Sequence, residues 1–253
     1  MYVKMLTVIC DVIYCKRESA VRTFFFMQKD EHYGYILTKY VYVHYNIYVL
    51  FDFKEFIMKK IYILLTKSGT FVSRIIRLLT ADSYTHVSIS FDESLRPLYS
   101  FSRKYIYRPL PAGLHKEQLD EGFFKRFDTI PCALYSLEVE DEVYIDAQNQ
   151  VLSMMENAGF YRFNIIGLFL CRMNIPFKRR RHLFCSQFVS EVLKNSKALT
   201  LPKNPSLMRP ADYQKLSELE HLYTGNLRNL AKKLECRNRK IKVVSTPVLK
   251  KSV

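Results

Sequence analysis

From residue 60 onward, apolar side chains recur at two different spacings. Residues 60–66 (KIYILLT) form a near-continuous apolar run of the kind that is buried on both faces of a sheet, and they predict a strand. Ser68–Gly69 interrupts it, and Val72, Ile75, Ile76 and Leu79 follow at the spacing of a helix face. THVSISF (85–91) then alternates with period two, which sets Val87, Ile89 and Phe91 on one side of a strand and His86, Ser88 and Ser90 on the other. Asp92–Glu93–Ser94 is turn-like, Arg96–Ser102 predicts a second strand and Pro131–Val139 a further one, leading into a helix over about 141–157. Two more helices are expected, over Tyr161–Leu170 and Cys185–Asn195, the latter with Val189 and Val192 on its inner face. Strands interleaved with helices, without a regular βαβ repeat, predict the α+β class rather than a doubly wound sheet.

The flanks differ from this core. Residues 1–57 are rich in Tyr, Val and Phe and hold one Gly and no Pro. They read either as an extension upstream of a natural start at Met58 or as a β-rich appendage. The expected organisation is an N-terminal extension (1–57), a principal domain (58–225) and a basic tail (226–253) that starts as a helix. The net charge of +15 suggests an anionic partner until it is divided along the chain. Residues 226–253 hold nine basic side chains and one acidic, so over half of the excess sits in the tail. KRRRH (178–182) reads first as a solvated loop, and second as a run able to hold a phosphate, a carboxylate or an acidic lipid head.

Six cysteines form no CxxC pair, and Cys10 and Cys15 have no His/Cys partners at zinc-finger spacing, so neither a metal nor a disulfide framework is expected. No secretory signal pattern opens the chain, which predicts reduced thiols and a cytoplasmic setting. The most apolar stretch, YVYVHYNIYVLFDF (40–53), is short for a membrane span and carries His44, Asn46 and Asp52, so no transmembrane segment is expected. Peripheral membrane contact through basic residues stays open.

Chemistry centres on HLFCSQFVSEV (182–192). Cys185 stands where a helix begins, and the unsatisfied amides and macrodipole of a helix N-terminus favour a thiolate and can line an oxyanion hole. Cys132 and Cys171 lie in apolar patterns and read as core. An imidazole would complete the activation. Of histidines 32, 44, 86, 115, 182 and 221, His182 is nearest in sequence, but His86 is preferred because a strand face holds a ring firmly.

SYTHVSISFD (83–92), followed 99 residues after His86 by FCSQFVSEVL (184–193), resembles the permuted papain-like amidases, the YiiX/YaeF-like branch of the NlpC-type cysteine hydrolases. In that branch the histidine strand precedes the cysteine helix, reversing the ordinary papain order. The resemblance spans about residues 58–223. It implies a circularly permuted papain-like domain with a small antiparallel sheet packed on helices, Cys185 as nucleophile and His86 as general base. It also implies a peptide- or lipid-type amide or ester substrate and no cofactor. Relatives place a polar orienting group on the strand after the histidine strand. That strand here reads RPLYSFSRK and offers Tyr99, Ser100 or Ser102 and no carboxylate, so Ser100 is the expected third member. Two rival functions follow: a catalytically degenerate lipid- or peptide-binding module of the same fold, and a basic nucleic-acid-binding protein. No nucleic-acid motif accompanies the latter.

Overall fold

The computed structural model describes residues 6–9, 23–30, 34–41, 58–67, 82–103, 112–119, 124 and 129–245. The chain divides into two compact units, Met1–Lys59 and Lys60–Val253. In the first, β1 (Leu6–Ile9), β2 (Thr23–Asp30) and β3 (Gly34–Val41) form an antiparallel three-stranded sheet in that order.

The remainder of the chain is mixed α+β, built on a six-stranded sheet. Its strands are β4 (Met58–Thr66), β5 (His86–Ser90), β6 (Leu98–Arg103), β7 (Ala112–Glu117), β8 (Pro131–Glu140) and β11 (Glu220–Asn226), in the order β11-β8-β4-β5-β6-β7. The β11–β8, β4–β5, β5–β6 and β6–β7 pairs are antiparallel. The helix expected across Val72–Leu79 lies outside the described residues.

Both faces of this sheet are covered, as the unbroken apolar run of β4 requires. Ile61, Ile63, Leu65, Val87, Ile89 and Phe101 join one cluster with α3 (Cys185–Asn195), and α1 (Asp141–Glu156) adds Ala147 and Val151 to it. Tyr62, Leu64, Leu98 and Leu134 join a second cluster with Leu227 and Leu230, from the start of α4 (Leu227–Ser245). Each fully buried side chain of this size contributes about 1.5–3 kcal/mol of transfer free energy.

α3 is the central helix, with eight of its eleven residues buried. Phe188 packs against Phe101 of β6 with ring centroids 5.3 Å apart. Below its first turn, the fully buried Tyr213 donates to the Ser186 carbonyl at 3.0 Å and shares a 2.7 Å hydrogen bond with Ser190. Residues 204–214 (NPSLMRPADYQ), which include Tyr213, thus brace the helix, and the chain there forms two short 3-10 helices, Pro205–Leu207 and Pro210–Lys215.

The helix expected over Tyr161–Leu170 instead begins at Ile165, giving α2 (Ile165–Arg172). Its predicted first turn is taken by β9 (Arg162–Phe163), which pairs in parallel with β10 (His182–Leu183). Arg162 N donates to the Arg181 carbonyl and Asn164 N to the Leu183 carbonyl, at 2.9 and 3.0 Å. The lead-in to Cys185 is thereby tied to the lead-in to α2.

Candidate active site

Cys185 is the first residue of α3, and the residue before it, Phe184, has extended backbone and no polar side chain. The first amides of the helix, those of Cys185 and Ser186 among them, therefore carry no capping side chain, and no acidic residue stands in the first turn. The positive end of the helix is left facing the thiol.

His86 opens β5, where its backbone pairs with Thr66 of β4, and the Cys185 side chain lies near enough to its imidazole to help raise the His86 pKa. The two candidates chosen 99 residues apart are thus brought near enough to interact. The second ring interaction is with Glu117, the last residue of β7: His86 Nε2 lies 3.4 Å from Glu117 Oε2. Ser88 Oγ donates to the same carboxylate oxygen at 2.9 Å and lies 3.3 Å from His86 Nε2. Ser102 Oγ donates to Glu117 Oε1 and lies 2.8 Å from His115 Nε2, whose other nitrogen is 3.1 Å from the Gly113 carbonyl. Glu117 is thus held from both oxygens by serines on two neighbouring strands.

Ser100 does not fill the orienting position expected of it. It is fully buried, but its hydroxyl has no hydrogen-bond partner among the described residues. Strand register explains this, because Ser100 stands opposite His115, while the carboxylate that meets His86 comes one strand further, from a position opposite Leu98. Of the serines expected beside His86, Ser88 joins the network, whereas Ser90 hydrogen-bonds to the Asp92 backbone at 3.2 Å.

Glu117 is the His86 partner that the sequence pattern did not point to. AGLHKE carries a Gly and two adjacent charges and does not read as a buried strand. Its usable signal is the spacing of His115 and Glu117, two residues apart and therefore on one face of a strand.

Electrostatics tie the two groups together. Burial alone would lower the His86 pKa, but the Glu117 charge and the hydrogen bonds to Cys185 and Glu117 outweigh it and raise it to about 10. Burial alone would raise the Glu117 carboxyl, but the His86 charge and hydrogen bond, His115 and Ser102 hold it down at about 2. Both shifts describe one imidazolium–carboxylate pair, 3.4 Å apart with about a tenth of each side chain exposed. By contrast, burial pushes the Cys132 and Cys171 thiols up, to about 12 and about 11, which suits their places in apolar packing.

Among the described residues, no group of three or more His, Cys, Asp or Glu is arranged to hold a metal ion, and no helix is long and apolar enough to cross a membrane. No family model, curated protein or solved structure matches this chain.

Proposed function

We propose that this chain is a cysteine hydrolase or acyltransferase with a circularly permuted papain-like domain, akin to the YiiX/YaeF-like branch of the NlpC-type enzymes. The observation that carries the reading is His86 held 3.4 Å from the Glu117 carboxylate, with Cys185 at the start of α3 near enough to act on the ring. The order of the parts supports it as well, since the histidine strand precedes the cysteine helix along the chain.

In the proposed reaction the His86 imidazolium, which holds the proton given up by Cys185, pairs with the thiolate, and the thiolate attacks the carbonyl carbon of an amide or ester. Nε2 of His86 is engaged by Glu117, so Nδ1 is the nitrogen assigned to the thiol. Glu117 fixes the ring and stabilises the imidazolium, the role a buried carboxylate plays in a catalytic triad. The uncapped amides at the start of α3 receive the oxyanion. The imidazolium then protonates the leaving amine or alcohol, and water or another acceptor, deprotonated by His86, releases the acyl group from sulfur.

The test is site-resolved alkylation of the full chain by iodoacetamide near neutral pH, read by mass spectrometry. Cys185 should react far faster than Cys132 and Cys171, and His86→Ala should slow it by roughly a hundredfold or more, the scale of a lost general base. Equal slow labelling of all three would favour the degenerate binding module.

A further inference from the structure

α2 is apolar on nearly every side, IIGLFLCR, yet only Gly167 and Cys171 of its eight residues are buried. A helix that is hydrophobic all round belongs in a core or in lipid. Ile165, Ile166 and Phe169 on the helix, Met173 after it and Phe160 before it are each between 54% and 62% exposed. Side chains of this size clustered on one short segment form a patch that monomeric proteins rarely leave to water.

The surroundings of the patch indicate what covers it. Residues 160–182 carry six basic side chains and no acidic one. The run Lys178–Arg181 is exposed and is held in place rather than trailing: His182 N donates to the Arg179 carbonyl at 3.1 Å, and the Arg181 carbonyl accepts from Arg162 N. The Arg181 guanidinium lies 5.1 Å from the centre of the exposed Phe160 ring, so charge and apolar surface meet directly. Apolar side chains beside a fixed basic run match an interface that is hydrocarbon below and anionic above. A second copy of the chain fits less well, because a two-fold contact through this face would bring the two basic runs together.

We propose that α2 and the Lys178–Arg181 run dock this protein on an anionic lipid bilayer, with α2 lying in the headgroup region and the basic run on lipid phosphates and carboxylates. Because Asn164 is bonded to Leu183, two residues before Cys185, docking would set the start of α3 beside the lipid surface. The docking stands whether or not Cys185 reacts.

The chain has no Trp, so Phe169→Trp places a single fluorophore on the patch. Its emission should shift to the blue and be quenched by brominated acyl chains when phosphatidylserine/phosphatidylcholine vesicles are added. Arg179→Glu/Arg180→Glu should weaken vesicle binding by at least roughly tenfold. Phe169→Asp, at an exposed position, should abolish binding without lowering thermal stability. No blue shift, equal binding to vesicles of phosphatidylcholine alone, or a concentration-dependent dimer lost in Phe169→Asp with no lipid binding would each overturn the proposal. So would RNA binding that survives Phe169→Asp while vesicles are ignored.

Discussion

α2 and α3 enter the fold through adjoining strands, yet they resolve the same physical problem in opposite ways. α3 buries eight of eleven residues, polar ones included, whereas α2 buries two of eight although nearly all of them are apolar. Their first turns differ as well. Asn164 caps α2, accepting from Gly167 N at 2.9 Å, while Phe184 offers α3 no capping group. A Cβ at Gly167 would come within 2.2 Å of the Asn164 amide nitrogen, so a larger residue there would have to displace the capping side chain. The helix with a satisfied start presents its face to the outside, and the helix with an open start presents its N-terminus to the candidate site. Burial follows from where an element sits in the layers, and composition alone does not reveal it.

The contrast can be broken by substitution. Phe188→Ala in α3 should cost about 3–5 kcal/mol, the range for deleting a buried aromatic ring; a loss below about 1 kcal/mol in chemical denaturation would show that α3 is not the core helix. Glu117→Gln removes one partner of the buried pair and should cost a similar amount, about 3–5 kcal/mol, together with the fast alkylation of Cys185. Asn164→Ala should cost about 1 kcal/mol, the usual worth of an N-cap, and should leave Cys185 reactivity unchanged. Phe169→Ala should move stability by no more than about 0.5 kcal/mol. If it cost as much as Phe188→Ala, α2 would be packed and the contrast would vanish.

The Glu117 effect carries a pH signature. Glu117 is held below its ordinary value of 4.5, so its contribution is present above that pH and disappears as pH falls through about 2. His86 is raised above 6.5, so its contribution is whole below that pH and fades as pH rises through about 10. The stability gap between the native chain and Glu117→Gln should therefore be flat between pH 4.5 and 6.5 and shrink on either side. Denaturation midpoints measured across pH would show a constant gap if the pair were not ionised.

Much of the principal domain could be read locally. The runs 60–66, 85–91 and 131–139 are strands because their apolar spacing already matched a sheet, and Cys185–Asn195 is a helix over the bounds its periodicity drew. β11 and β7 were not legible. EHLYTGN and AGLHKE are edge strands whose exposed positions leave no continuous apolar signal, and only pairing with β8 and β6 makes them strands. The start of α2 was misplaced for the same reason, since a two-residue parallel ladder to residues 182–183 is invisible to local periodicity.

By itself, the sequence determined which residues could do chemistry: a cysteine at a helix start and a histidine on a strand, in that order along the chain. These are properties of neighbours within a few residues. The approach of Cys185 to His86, the pairing of His86 with Glu117 rather than Ser100, and the outward face of α2 were decided only by tertiary structure. Each depends on which strand lies beside which and in what register, and register is a property of the assembled sheet that no single segment encodes.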